Sequence, residues 1–304
     1  MPVATTKLSV VIHTKNAAGT IERALRSVTF ADEVVIIDMH STDDTVKLAK
    51  RYTKRIYFHD DVGYADPARN FGLKKASFDW ILVLDADEAV SSALRAVIKE
   101  TLVSPKADVY FVPRKNLVFG QWILKTGWWP DYQPRLFRKE AVSWQLGVHR
   151  LPDIKGTVEY FPAEERYSLT HYNYTSVAQF IERLNTYTSL QAKERLASSP
   201  QETFSVHELL EIFGGEFAKR SLTMDGIEDG LHGLSLSLLQ AMYESVIYLK
   251  QWEEKGFSPV GSGDFGAVLI RVQQVWRYWW ADYQVRHTTG PTQWYWRVRR
   301  KLMV

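Results

Sequence analysis

The chain has 304 residues, 45% of them apolar, enough for a large α/β domain with an appendage and a real hydrophobic core. It contains no cysteine, which excludes disulfides, zinc–thiolate centres and thiol catalysis and fits a reducing compartment. A net charge of +3 is too small to argue for a nucleic-acid partner. With no secretory pattern and no run of about eighteen apolar residues, the expected location is cytoplasmic.

Residues 8–14 (LSVVIHT) are a near-continuous apolar run, as in a strand buried within a parallel sheet. A turn at 15–19 follows, and 20–28 shows helical spacing through Ile21, Leu25 and Val28. Residues 33–39 (EVVIIDM) predict a second buried strand ending in the polar turn His40-Ser41-Thr42-Asp43-Asp44. Asp43 or Asp44 there caps a helix carrying Val46 and Leu48. A weaker strand is predicted at 55–59, and Asp66-Pro67 opens a helix whose buried face is Phe71, Leu73 and Ala76. Residues 80–84 (WILVL) form a fourth strand that runs into Asp85-Ala86-Asp87-Glu88. A helix begins at Ser91 and buries Leu94, Val97, Ile98 and Leu102. Repeated βα units of this length predict an α/β fold with a doubly wound, mostly parallel, Rossmann-like sheet.

After Pro105 the pattern changes. Strands are predicted at 109–113 and 135–138, separated by an aromatic loop holding Trp122, Trp128 and Trp129. Residues 175–197 read as one long helix with Val177, Phe180, Ile181, Leu184 and Tyr187 on one face. Ser198-Ser199-Pro200 breaks it, and everything beyond reads as helical. The predicted division is 1–200 for the α/β domain and 201–304 for a helical, aromatic and basic C-terminal region. In that region Val268, Val272, Val275, Trp276, Trp279 and Tyr283 recur at helical spacing, and residues 271–304 carry six Arg and one Lys against one Asp. Two readings stay open. The stripe packs against protein, as helical aromatic stripes usually do, or it lies in a membrane interface with Arg297-Val298-Arg299-Arg300-Lys301 drawing anionic headgroups.

In an open parallel sheet, ligands bind outside the carboxyl ends of the strands. The polar residues collect there: Thr14-Lys15-Asn16 after the first strand, Asp38, Ser41 and Asp43 after the second, Asp85 and Asp87 after the fourth. Asp38 and Asp43 suit hydrogen bonds from a base or ribose. Two carboxylates one residue apart suit a hard divalent cation, Mg2+ or Mn2+, that bridges a diphosphate. Each piece alone has an ordinary explanation as a helix cap or a turn residue. The three strand ends together point to one site. Rival chemistries lack their signals. A phosphohydrolase built on Asp-x-Asp usually has Thr or Ser where this chain has Ala89, and no glycine-rich loop follows the first strand.

The blocks LSVVIHTKN, VVIIDMHSTDDT, ARNFGLKKA and WILVLDADE, in that order over 8–104, resemble the GT-A domain of family 2 glycosyltransferases. GWWPDYQPRLF (127–137), GVHRLP (147–152), LTHYNYTSVAQFIER (169–183) and Met224-Asp225-Gly226 with Gly230 and Leu231 resemble its lipopolysaccharide-core β-glucosyltransferase branch. The resemblance implies an inverting enzyme that moves a sugar from a nucleotide-sugar donor, UDP-linked, to a glycan or lipid-linked acceptor in cell-envelope polysaccharide synthesis. It further implies a divalent cation and, by analogy with a lipid-linked acceptor, peripheral contact at the inner face of the cytoplasmic membrane. By the same resemblance Thr14, Lys15 and Asn16 line the nucleotide pocket, and Asp38, with Ser41 and Asp43, recognises the base or ribose. Arg69 and Asn70 pack beside the nucleotide, and Asp85 and Ala86 belong to the donor site. Asp85 and Asp87 form the metal motif, with Asp87 the direct ligand. His171 completes the metal or diphosphate site, or is a structural histidine.

An inverting transferase needs a group to take the proton from the acceptor hydroxyl. The branch carries Val-His-Glu where this chain has Val148-His149-Arg150, and Arg150 cannot serve as a base near neutral pH. Asp131 is the first substitute and Asp153 the second, and His149 is also able to serve. Hydrogen bonding to Arg135 is the alternative role for Asp131. Arg150 leaves two further readings: recognition of an acidic or phosphorylated acceptor, and a degenerate protein that only binds nucleotide or glycan.

Overall fold

The structure, a computed structural model, describes residues 6–60, 66–145, 151–199, 203–261, 263 and 265–302. In chain order the elements are β1 (Leu8–Thr14), α1 (Ile21–Ser27), β2 (Glu33–Asp38), α2 (Thr45–Ala49), β3 (Ile56–Phe58), α3 (Asp66–Lys75), β4 (Trp80–Asp85), β5 (Glu88–Val90) and α4 (Ser92–Val103). Then come β6 (Val109–Val118), β7 (Gln121–Trp122), β8 (Asp131–Arg138), β9 (Val142–Ser143), β10 (Asp153–Ile154), β11 (Val158–Tyr160) and β12 (Leu169–Tyr174). Five helices follow: α5 (Val177–Ser198), α6 (Val206–Ala218), α7 (Gly230–Glu254), α8 (Phe265–His287) and α9 (Gly290–Lys301). The chain forms two compact units, one of Met1–Leu117 with Pro130–Asn173, the other of Val118–Trp129 with Tyr174–Val304.

The first unit is built on a sheet of strand order β3-β2-β1-β4-β8-β6-β12-β5. β1 to β4 are parallel, with Val10 beside Val34 on one side and Leu82 on the other. Side chains alternate across a strand, so Val10, Ile12, Ile36, Leu82 and Leu84 enter one core with Leu25 of α1 and Leu94 and Ile98 of α4. Val11, Val35, Ile37, Ile81 and Val83 enter the other with Ala68 and Leu73 of α3. Both faces are covered, which is why these strands read as unbroken apolar runs. Past β4 the direction changes: β8 is antiparallel to both β4 and β6, and β12 is antiparallel to β5. The sheet is therefore parallel from β3 through β4 and mixed beyond it.

Local chemistry sets the helix starts. The Ser91 hydroxyl accepts the Leu94 N–H at 3.0 Å and caps α4. At α2 the residue that holds the first turn is Asp43, which accepts the Thr45 N–H at 3.0 Å, while Asp44 makes no side-chain cap. The face predicted for α5 needs correction. Phe180 and Leu184 are buried together with Thr188 and Ala192, whereas Val177 and Ile181 are exposed. The buried Thr188 hydroxyl donates to the Leu184 carbonyl at 2.7 Å, so it enters the interior already satisfied.

The second unit is helical. Its core brings Val118 and Ile123 together with Phe180, Leu184, Leu236 and Leu239. Asp229 accepts the backbone N–H groups of Leu124 and Lys125 at 3.0 and 2.7 Å and so ties the aromatic loop to the turn before α7. A Cβ on Gly233 would fall 1.9 Å from the Gly226 carbonyl oxygen, so the Met224-Asp225-Gly226 turn and the first turn of α7 touch where no side chain fits. In α8, Val268 is buried and Val272, Val275, Trp276, Trp279 and Tyr283 are half-buried, while the other buried positions are Ala281 and Val285. Among the described residues no helix is long and apolar enough to cross a membrane.

Candidate active site

The carboxyl ends of β1 and β2 are laced together. The Asn16 N–H donates to Ser41 Oγ at 2.8 Å, and the Thr42 N–H to Asn16 Oδ1 at 2.8 Å. Ser41 in turn donates its N–H and its hydroxyl to the two oxygens of Asp38, at 2.8 and 2.6 Å. Asp38 is buried, and Asp43 accepts the Ala18 N–H at 3.0 Å. Burial pushes the Asp43 carboxyl up, but the hydrogen bonds from Thr45 and Ala18 outweigh it and hold the group below its usual range. Thr14 is buried at the strand end and Lys15 is exposed. Asn16 and His40 adopt left-handed backbone, φ +47 and +56°, which turns the chain sharply enough to bring the two loops into register. Thr14, Asn16, Asp38, Ser41 and Asp43 thus form one lip.

Asp85 lies at the end of β4 in a buried charge network. Its oxygens accept from Arg69 at 3.0 Å and from Arg135 at 2.6 Å. Arg135, only 1% exposed, also donates to Glu88 at 2.7 Å. Glu88 lies 3.5 Å from Arg114, and accepts the Asp85 N–H at 3.0 Å. Burial raises the Asp85 carboxyl, but Arg135 and Arg69 overcome it and hold Asp85 well below the ordinary carboxylate range. Ala86 is buried beside it. Asn70 exchanges two hydrogen bonds with the Trp144 backbone, at 2.7 and 2.9 Å, so it anchors residue 144 to α3. Arg69 lies over the Trp144 ring, 5.5 Å from its centroid.

Asp87 is differently placed. Its Oδ1 lies 3.5 Å from His171 Nε2, and its carbonyl accepts the Tyr172 N–H at 2.9 Å. His171 Nδ1 lies 2.6 Å from Asn116 Oδ1, while Asn116 Nδ2 donates to Asp131 at 3.0 Å. The amide nitrogen is committed to the carboxylate, so Asn116 offers oxygen to the histidine and Nδ1 must donate. That leaves Nε2 turned toward a carboxylate oxygen, an arrangement that calls for positive charge between them. A divalent cation fits that N,O donor pair. Asp85, committed to two guanidiniums, is not arranged in this way.

Asp131 begins β8. Its Oδ2 accepts from Arg114 Nε at 2.8 Å and from Asn116 at 3.0 Å, and its Oδ1 accepts from Gln133 at 3.0 Å. Its arginine partner is Arg114, and Arg135 is spent on Asp85 and Glu88. Burial raises the Asp131 carboxyl, but Arg114, Asn116 and Gln133 together hold it below the usual value. Asp153, in β10, is exposed and accepts from Gln145 at 2.8 Å. His149 and Arg150 lie outside the described residues. Arg114 and Asn116 were not singled out from the sequence, Glu88 was named only within the acidic run, and Arg135 only as a partner for Asp131. The only available signal was the lone Arg135 within Pro134-Arg135-Leu136-Phe137, a cation in an apolar strand that needs a buried partner.

A doubly wound unit with its polar residues gathered at the strand carboxyl ends is the architecture of an α/β enzyme. The family model "Glycosyl transferase family 2" matches residues 9–150. An uncharacterized glycosyltransferase of Rickettsia felis is 32% identical over 202 residues, covering 62% of this chain and 70% of the relative. The lipopolysaccharide core biosynthesis glycosyltransferase LpsC of Rhizobium meliloti is 26% identical over 205 residues, covering 65% and 74%. Among solved structures, TarS of S. aureus in complex with UDP is a loose match, TM-score 0.42 at 14% identity over 83% of this chain and 92% of that one. The chain belongs to glycosyl transferase family 2. It is a glycosyltransferase with a doubly wound, mostly parallel α/β sheet and a helical C-terminal part.

Proposed function

We propose that the protein moves a sugar, with inversion, from a uridine-linked nucleotide sugar to a glycan or lipid-linked acceptor in cell-envelope polysaccharide synthesis, assisted by Mg2+ or Mn2+. The observation that carries this reading is the Asp87–His171 pair, 3.5 Å apart at the mouth of β4 with the histidine tautomer set by Asn116. Asp87 and His171 would hold the cation, which when bound neutralises charge on the departing diphosphate. Thr14, Lys15, Asn16, Asp38, Ser41 and Asp43 bind the nucleoside, with Arg69, Asn70, Asp85 and Ala86 shaping the donor side. Asp85 takes part in the metal motif through its place in the run, and its two arginines fix the loop that presents Asp87. The acceptor oxygen attacks the anomeric carbon, the bond to the diphosphate breaks, and the proton passes to a base. Asp131 is our first choice for that base and is ionised at neutral pH, as a proton acceptor must be. Asp153 and His149 are the alternatives. The protein works on the cytoplasmic side, at the inner face of the membrane, with a division into a catalytic domain (1–200) and a C-terminal region (201–304).

Two measurements test this. Asp87→Ala should abolish metal-dependent binding of nucleotide sugar by calorimetry while the circular dichroism spectrum stays native, and unchanged binding would sink the metal role. A donor panel, read by thermal shift with and without manganese and then by release of nucleotide diphosphate with an acceptor extract, identifies the base and sugar. One observation favours a second reading. The Asp131 carboxylate is engaged by Arg114, Asn116 and Gln133, and Arg150 stands where a glutamate was expected. A degenerate binding protein would bind a donor and turn over none.

A further inference from the structure

We propose that the outer face of α9 is a docking surface for an anionic lipid bilayer. At 100° per residue, Pro291, Trp294, Tyr295, Val298 and Leu302 share one side of the helix. All five are exposed, Trp294 by 69% and Leu302 by 78%. The opposite side is the one that packs. Gln293 donates to the Val285 carbonyl at 2.9 Å, Arg300 donates to Asp282 at 2.5 Å, and Trp296, on the same side of the wheel, is half-buried. The helix is held by its inner face, and its apolar face is left outward.

Charge decides the occupant. Arg297 and Lys301 flank the apolar stripe on one edge and Arg299 flanks it on the other, all three exposed and none ion-paired among the described residues. A second copy of this chain would bring the same three cations to the contact, whereas an anionic headgroup layer neutralises them. Twelve residues make a helix about 18 Å long, short of the roughly 20 residues needed to span a bilayer. An apolar stripe edged by Trp294 and Tyr295, with cations at its rims, suits a helix lying in the interface plane. This deepens the membrane-side part of the proposed function without resting on transferase chemistry, so its failure would leave donor binding untouched.

The test is co-sedimentation of the full chain with vesicles rich in phosphatidylglycerol or made of phosphatidylcholine alone. The chain should pellet with the first and remain largely in solution with the second. Arg297→Gln/Arg299→Gln/Lys301→Gln should weaken partitioning on the order of 100-fold, about fivefold per cation. Trp294→Ser/Leu302→Ser should abolish it. Because these side chains are exposed, native circular dichroism and unchanged donor thermal shift are the controls on folding. Equal partitioning to both vesicle types, or no binding to either, overturns the proposal. So does a vesicle-free dimer, seen by sedimentation velocity, that Trp294→Ser/Leu302→Ser turns into monomer, since the face would then belong to a second copy.

Discussion

Each unit contains a network of opposite charges, and the two networks differ in what surrounds them. In the first, Arg69, Arg135 and Arg114 alternate with Asp85, Glu88 and Asp131, and the central Arg135 and Glu88 are fully enclosed. In the second, Lys125 lies 2.9 Å from Glu228, Arg286 2.6 Å from Asp225 and His287 2.6 Å from Glu228, with side chains 20–35% exposed. Asp225, Glu228 and His287 have ligand atoms within 4.8 Å of one another, a spacing a metal ion could use. Lys125 and Arg286 already provide the positive charge there. Similar pairs thus do different work. Enclosed charges pay a large desolvation cost and are kept in one geometry, whereas half-exposed ones are screened and interchangeable. The first arrangement suits the frame of a site, the second the fastening of helices.

That contrast can be broken at three points. Arg135→Met leaves Asp85 with Arg69 alone and the enclosed Glu88 with Arg114 alone, and should cost about 3 kcal/mol, read as a shift in the urea transition. A loss below about 1 kcal/mol would place the network among ordinary surface pairs. His13 offers a pH handle on the same buried region. Burial, reinforced by Arg69 and Arg135, lowers its pKa from 6.5 to about 3. The unfolded histidine therefore binds the proton first as pH drops, and stability complete above pH 6.5 falls away toward pH 3. His13→Asn should flatten that decline by up to about 1.4 kcal/mol per pH unit, and an unchanged slope across the interval would assign it to other groups. The smallest effect is expected from Lys125→Met in the second network, about 1 kcal/mol or less and diminishing with added salt. A larger, salt-insensitive loss would erase the distinction between the two units.

Much of the first unit was legible because its strands are buried on both faces and therefore spell themselves out as Leu8–Thr14, Glu33–Asp38 and Trp80–Asp85. The lip formed by Asn16, Asp38 and Ser41 was legible for a related reason, since strand ends are where a parallel sheet exposes polar groups. The partners of Asp85 were not. Arg135 arrives on an antiparallel strand from fifty residues away, and no local pattern encodes that pairing. The face of α5 was misread because Val177 and Ile181 form a stripe as regular as Phe180 and Leu184. Which of two overlapping stripes is buried depends on Thr188, a polar residue that satisfies its own hydroxyl.

The antiparallel placement of β8 also has a consequence for how the protein is made. Trp80, Ile81 and Leu82 pair with Arg138, Phe137 and Leu136, so β4 remains an open edge until those residues have left the ribosome. During that interval a hydrophobic strand with unpaired backbone groups is available to neighbouring chains, and Asp85 and Glu88 lack the Arg135 guanidinium they share. Closure waits on a non-local contact and is correspondingly slow. A fragment ending near residue 104 should therefore precipitate on expression, and supplying residues beyond 138 in the same chain should restore recovery in the supernatant.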